Sequence, residues 1–333
     1  MRERDVTVPS AFGLAGVLCL PEDASARRPA PAIVLLQGSG ADTRDGDLEP
    51  GWPPGTPDLP APGTLRRVAH RLAGAGVATL RYDRRGFGAS GGRAEDSHYG
   101  TDLEDALAAV AWLRAQDEID LLRVGIGGHS AGVLTACHVC RDDPDVAAAL
   151  LLGGLASSIE GLMRDNFGRV DQYWNRFTAE QRAWIEKNLP AMLVRAEGVE
   201  RYLEAIRAGE PTVTLEGRGV TLTMRTSRGL QDMATEYAAE FRHVRCPALI
   251  LHGGNDLNVR VADALTAYRA LRDAGNDAVQ LSVVAGLDHY FNPTPADEVT
   301  RVWERVSLES LRRPMSPVAL DTMAAWAGRV LRP

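Results

Sequence analysis

The pentapeptide Gly128-His129-Ser130-Ala131-Gly132 sets a serine between two glycines, directly after an apolar run and before a helical pattern. G-x-S-x-G in strand-turn-helix context is a nucleophile elbow, a sharp turn that lifts the serine side chain above a sheet. The glycines have a steric reason, because side chains at 128 and 132 would collide with the neighbouring strand and helix. A serine hydroxyl attacks poorly until a base takes its proton, so the motif demands a histidine and an orienting carboxylate. Asp256 in HGGND and His289 in GLDHYF meet that demand. Each follows an apolar run that reads as a strand, which puts both at the carboxyl ends of strands, where open α/β sheets build their sites. Negative charge on the substrate oxygen needs preorganised backbone donors. Ala131, just after the serine, is one; Ser39 in QGSG, after the run AIVLL, is the other.

Competing chemistry fails on residue identity. A phosphate-binding Walker loop needs Gly-Lys-Ser/Thr, and Lys187 is the single lysine of the chain. A dinucleotide fingerprint starting at Gly125 needs glycine at 130, where Ser130 stands. The same test removes QGSGADTRDGD, whose glycines open a long loop instead of a helix. Cys137 and Cys140 in CHVC lie well inside a helical pattern, whereas a reactive pair wants a helix N-terminus; they read as two small core residues. With Cys19 and Cys246 they are too few for a disulfide scaffold, and no second ligand pair completes a zinc site. No metal and no cofactor are expected. His70, His98, His138, His243 and His252 read as structural or solvated, and Asp288, next to His289, as a loop or cap residue.

The elements that must position these groups follow from periodicity. AGVLCLP, AIVLLQ, VATLRYD, RVGIGG, VAAALLLGG, PALILHGG and AVQLSVV read as strands. Between them lie helical patterns at Leu65 to Gly74, at DLEDALAAVAWLRAQ with Asp102 or Thr101 as its cap, at AGVLTACHVCRD, at Val261 to Ala274 and at ALDTMAAWAGRVL. Such alternation predicts a mostly parallel sheet with helices on both faces. A Pro- and Gly-rich loop runs from Gly38 to Thr64. The rhythm stops near Ala156 and resumes near Cys246, which marks an insertion with helical stretches such as AEQRAWIEKNL and a hairpin in TVTLEGRGVTLTM.

Composition sets the outer bounds. At 333 residues, 45% hydrophobic and 24% charged, the chain is of ordinary globular make-up and long enough for about two units. A net charge of −7 with interspersed signs argues against nucleic acid as a partner. The opening MRERDVTVPS lacks a signal-peptide core, and the longest apolar run, Val146 to Leu152, is too short to span a bilayer. The expectation is a cytoplasmic protein with no membrane partner.

Taken together, GSGADTRD, DRRGFGASGG, GHSAG, LHGGND, GLDHYF and MSPVALDTMAAWAGRVL make the chain resemble the α/β-hydrolase superfamily. Within it, the chain is similar to capped bacterial serine esterases related to dienelactone hydrolases and acylaminoacyl peptidases. The resemblance implies an α/β-hydrolase core over 1–154 and 247–333 and a mainly helical cap, or lid, over 155–246. It also implies departures: Gln37 stands where many relatives carry histidine, and the loop through GWPPGTPDLP is long. Gln37, His129, Arg84 and Trp174 are candidate substrate contacts, with Arg84 able to meet an acidic substrate group. The expected activity is cleavage of a carboxylic ester, thioester or lactone through an acyl-enzyme on Ser130, with a small-molecule acyl substrate as partner and a homodimer left open. The large cap and the Pro-rich loop motivate an alternative, a non-hydrolytic acyl transfer, elimination or cyclisation in bacterial secondary metabolism. A binding module on the same scaffold would not need all three members of the Ser-Asp-His set.

Overall fold

Runs that are apolar at every position demand burial on both faces, and the chain supplies it with a central sheet between two helical layers. The computed structural model describes residues 1–47, 61–226 and 229–331. In chain order the strands are β1 (Arg2–Val8), β2 (Leu14–Leu20), β3 (Ala30–Leu36), β4 (Ala78–Tyr82), β5 (Ile119–His129), β6 (Ala149–Leu152), β7 (Thr212–Gly217), β8 (Val220–Arg225), β9 (Ala248–Gly253) and β10 (Val279–Val284). Eight form one sheet in the order β1-β2-β4-β3-β5-β6-β9-β10; β7 and β8 form a separate hairpin. From β4 to β10 the pairing is parallel, and β2 alone runs the other way, antiparallel to both β1 and β4 at one edge.

The helices are α1 (Thr64–Gly74), α2 (Tyr99–Arg114), α3 (Gly132–Asp142), α4 (Ile159–Tyr173), α5 (Ala179–Asn188), α6 (Pro190–Glu197), α7 (Val199–Arg207), α8 (Gly229–Ala234), α9 (Tyr237–Glu240), α10 (Val261–Asp273), α11 (Glu298–Val306) and α12 (Pro317–Val330). Strand period 2 sorts side chains between the layers. Ala32, Val34 and Leu36 of β3 join a cluster with Val110 of α2, Val133 of α3 and Leu271 of α10. Ile33 and Leu35 face the other way, onto Leu65 and Leu72 of α1 and Met323 and Trp326 of α12. Each such aliphatic side chain contributes about 1.5–3 kcal/mol by leaving water. No helix among the described residues is long and apolar enough to cross a membrane.

β6 pairs directly with β9, Ala149 opposite Ala248, and the long connection between them leaves and rejoins the sheet's core, where Ala156, Phe241 and Val244 are packed. The segment buries apolar clusters of its own: Val170, Phe177, Ile185 and Leu193 in one, Leu203, Ile206, Val213 and Leu222 in another. A capping box between Thr178 and Gln181 starts α5. The β7–β8 hairpin turns through Arg218 and Gly219, both at positive φ, as a tight two-residue turn requires.

Three features differ from the sequence reading. The cap of α2 is His98, whose Nδ1 accepts from Thr101 N–H, because the helix begins a turn earlier than its apolar pattern. MRERDVTVPS supplies the edge strand β1, its charges facing water, where an edge is protected by charge. α11, masked in sequence by its many charges, seats Val302 and Val306 in the inserted segment's first cluster. Much of the long loop through GWPPGTPDLP lies outside the described residues.

Close strand spacing makes one glycine intolerant and leaves another free. A Cβ on Gly125 of β5 would sit 2.7 Å from Ala148 O, while one on Gly74 of α1 meets nothing. Gly125→Ala is expected to lower stability by about 1–3 kcal/mol, and Gly74→Ala to raise it by up to about 1 kcal/mol. Urea unfolding of both variants checks the opposite signs; equal effects would contradict the packing account.

Candidate active site

β5 ends at His129, between β3 and β6, so the next residue emerges at the carboxyl edge of the sheet. Ser130 holds φ 54°, a left-handed conformation costing a non-glycine residue about 1–3 kcal/mol. Its N–H donates to Leu152 O at 2.8 Å and its carbonyl accepts from Val133 N–H at 3.0 Å, pinning the turn to β6 and α3. A Cβ on Gly128 would lie 2.2 Å from Gly132 O, and one on Gly132 2.7 Å from Leu36 O. Both glycines are thus required by the approach of α3 to β5 and β3.

Asp256 and His289 reach the same edge from the ends of β9 and β10. His289 Nδ1 donates to Asp256 Oδ2 at 2.7 Å. The other carboxylate oxygen accepts the N–H groups of Asn258 at 2.7 Å and Val259 at 2.9 Å. Burial pushes this fully enclosed carboxyl up, but the His289 ring and these donors outweigh it and hold it below the usual carboxylate range. Gly153, immediately after the Leu152 that anchors Ser130, lies under the pair: a Cβ there would be 3.4 Å from the His289 ring. Its φ of 57° and bare surface leave room for the imidazole. The LLGG ending of β6 was the only sequence signal for it.

The loop after β3 presses on the serine from the opposite side. A Cβ on Gly38 would lie 2.9 Å from Ser130 Cβ. Among the described residues the N–H groups of Ser39 and Ala131 have no hydrogen-bond acceptor. The surrounding polar groups hold this loop. Asp83 takes four hydrogen bonds, from Arg44 N, Nε and Nη2 and from Ala89 N–H.

Two candidate substrate contacts belong to that scaffold, which corrects the expectation for them. Gln37 is buried and donates its amide to Tyr82 O at 3.0 Å and Asp42 O at 3.4 Å. Arg84 is ion-paired with Asp42 and lies 3.7 Å from Asp102, which leaves its charge neutralised within the protein. His129 is corrected as well: Nε2 meets His289 O at 2.9 Å, and a carbonyl partner assigns the proton to that nitrogen. Burial, reinforced by the His289 ring, pushes its pKa down to about 3, so it acts as a neutral strut under the His289 loop. Trp174 packs against the apolar cluster that includes Leu257, the neighbour of Asp256. His252, read as structural, lies fully buried with Nε2 3.5 Å from Asp256 Oδ2 while bonded to Val259 O at 3.0 Å.

Asp288 turns away from the pair and ties its own loop. Oδ1 accepts from Tyr290 N–H at 2.9 Å and Asn292 N–H at 2.8 Å, while buried Oδ2 has no partner. Burial pushes this carboxyl up to about 6, against the opposing pull of those N–H groups. The folded protein therefore binds more protons here than the unfolded chain, whose carboxyl titrates near about 3.9. Its contribution to stability is fully present below that value and is lost as pH rises through about 6. In Asp288→Asn the dependence vanishes. Wild-type stability minus that of the variant should fall by roughly 2–3 kcal/mol from pH 4 to 7; a flat difference in urea titrations across that range would refute the assignment.

With the geometry in place, comparison with known proteins gives a consistent family. A family model described as serine aminopeptidase, S33, matches residues 62–292, a span that includes Ser130, Asp256 and His289. Esterase EstD of Thermotoga maritima is 27% identical over 293 residues, covering 86% of this chain but only 59% of that protein's length. A monoacylglycerol lipase of Mycolicibacterium smegmatis is 24% identical over 267 residues, covering 79% and 82% of the two chains. The crystal structure of an esterase domain from a Rhodothermus marinus protein superposes over the full length of both chains with a TM-score of 0.54 at 16% identity, a likeness of fold. The chain therefore belongs to the serine aminopeptidase S33 family of α/β-hydrolases.

Proposed function

We propose that this protein hydrolyses a carboxylic ester, thioester or lactone through an acyl-enzyme on Ser130. The observation that carries the reading is the 2.7 Å His289–Asp256 bond built over Gly153, at the same sheet edge as a serine held at φ 54°. His289 takes the proton of Ser130 as the hydroxyl oxygen attacks the carbonyl carbon, and Asp256 fixes the imidazole so that Nε2 is the free base. The N–H groups of Ser39 and Ala131 receive the oxyanion, each such donor contributing about 2.7–4 kcal/mol. The tetrahedral adduct collapses, His289 returns its proton to the leaving alcohol or thiol, and water repeats the sequence to release the acid. Esterase and lipase are the names of the two relatives above, which supports an ester substrate.

The inserted segment 155–246 acts in this reading as the lid. α4 supports that role, because Asn166 donates to Asn258 O at 2.9 Å and Arg169 donates to Leu257 O, directly beside Asp256.

Ser130→Ala is expected to abolish both ester turnover and labelling by a fluorophosphonate probe. Asp256→Asn should lower kcat by on the order of 10³–10⁴-fold while leaving the fold intact. Labelling of Ser130→Ala at the wild-type level would sink the proposal, as would full activity of Asp256→Asn.

A further inference from the structure

Enclosed polar atoms without partners are rare in folded chains, and each needs an occupant or a reason. Among the described residues, three of them fall on one cavity. Asp288 Oδ2, Arg301 Nε and Ser310 Oγ have no hydrogen-bond partner, and all three residues line the same space. Asp288 is 7% and Ser310 3% exposed. The cavity lies behind the two loops that carry the reacting groups. Asn255, Leu257 and Asn258, which flank Asp256, form one wall, and His289 and Tyr290 belong to another. α11 closes it with Arg301, Glu304 and Arg305, whose spacing of three and four puts them on one helix face.

The neighbouring polar groups are already committed. Glu304 pairs with Arg313, and Arg305 Nε donates to Asn258 Oδ1 at 2.8 Å. Arg301 spends Nη1 on Ala296 O at 2.6 Å and Pro295 O at 3.2 Å. Asp288 Oδ1 is taken by the N–H groups of Tyr290 and Asn292. Only the atoms turned on the cavity are left over.

Size and chemistry narrow the occupant. The cavity measures about 10 Å³, room for one water molecule and nothing larger. Its lining sets the carboxyls of Asp288 and Glu304 against the guanidiniums of Arg301 and Arg305, so neither a cation nor an anion gains by entering. The occupant must also both donate and accept. Arg301 Nε only donates, Ser310 Oγ does either, and a carboxyl oxygen accepts when ionised and donates when protonated. Water meets all three in both states of the carboxyl.

We infer that one buried water molecule is part of the fold here, bonded to Asp288 Oδ2, Arg301 Nε and Ser310 Oγ, and that it braces the His289 loop against α11. Asp288 is thereby a positioning residue for His289: Oδ1 shapes the loop from within, and Oδ2 reaches α11 through the water. The loop needs such a brace because it carries fully buried Phe291 at φ 59°, a conformation that persists only where the surroundings hold it. The water site stands independently of the esterase reading; its effect on turnover rests on that reading.

A high-resolution crystal structure is expected to show one solvent peak about 2.7–3.2 Å from each of the three atoms. A site without density, or direct bonds among the three atoms, overturns the inference. Ser310→Ala and Arg301→Met each remove one partner of the water and leave the bonds of Asp288 Oδ1 in place. In both, kcat and the rate constant for fluorophosphonate labelling of Ser130 should fall by about tenfold with KM little changed, because the placement of His289 governs both. A merely structural role would lower the fraction of enzyme that labels and leave the rate constant of the folded fraction unchanged; that result refutes the positioning role. Asp288→Asn, which keeps the shape and a polar atom toward the water, should retain the peak and the wild-type rate constant, and a loss as large as that of Ser310→Ala contradicts the bridge. Ser310→Ala, the smaller change, carries the comparison if Arg301→Met does not fold. If the wild-type protein neither cleaves esters nor labels, the esterase reading fails, and the solvent peak alone decides the water site.

Discussion

The architecture depends on one steric constraint, the contact of bare backbone at Gly128 and Gly132 where β5 turns into α3. The helix start lies so near the strand that a single methyl at Gly128 would fall within 2.2 Å of a carbonyl oxygen. That approach forces the chain through a left-handed residue, and the residue is Ser130. The strain is held by surroundings that are themselves rigid: β3 and β6 flank β5, and the Leu152 carbonyl takes the serine N–H. The lifted serine is a consequence of packing in the buried middle of the sheet.

Around that turn, two buried carboxylates organise the loops. Removing a charge from water is costly unless hydrogen bonds and opposite charge replace the solvent. Asp256 receives His289 and two N–H groups; Asp83 receives the Arg44 guanidinium and two N–H groups. One orients the imidazole and the other holds the loop of Ser39. The expense of burial thereby becomes positional accuracy on both sides of the serine, because each carboxylate has its full set of partners in only one arrangement. His129 extends the same logic by bracing the His289 carbonyl with a neutral ring.

Paired charge braces the rest of the molecule. The arginines near the Ser39 loop, Arg44, Arg81, Arg84 and Arg85, are all paired. Arg169 of α4 and Arg305 of α11 bond instead to Leu257 O and Asn258 Oδ1, beside Asp256. Ion pairs stabilise a fixed geometry in the core, and pairs such as Arg164–Glu200 and Arg218–Glu197 do the same within the inserted segment. α11 links them, since it comes from the chain after β10 yet packs Val302 and Val306 against Phe177 and Ile185.

Local pattern was sufficient for much of this protein. Apolar runs such as AIVLLQ and PALILHGG identify buried strands because burial on both faces leaves no polar position, and G-x-S-x-G identifies the elbow because only glycine tolerates its contacts. The serine, aspartate and histidine were legible as a set because each follows such a strand. What pattern could not reach were partners distant in sequence. Whether Arg84 greets a substrate or Asp42, whether His129 touches a ligand or the His289 carbonyl, and why Gly153 must be bare depend on which loops the sheet order brings together. Charge pairing was equally illegible, since an arginine looks the same with or without a carboxylate opposite it. The sequence by itself determined the strands, the elbow and the candidate residues that meet at the sheet edge, through periodicity and steric exclusion. Only the tertiary structure decided which polar groups are spent on one another and which remain free, because hydrogen bonds and ion pairs act over a few ångströms between residues that the chain keeps far apart.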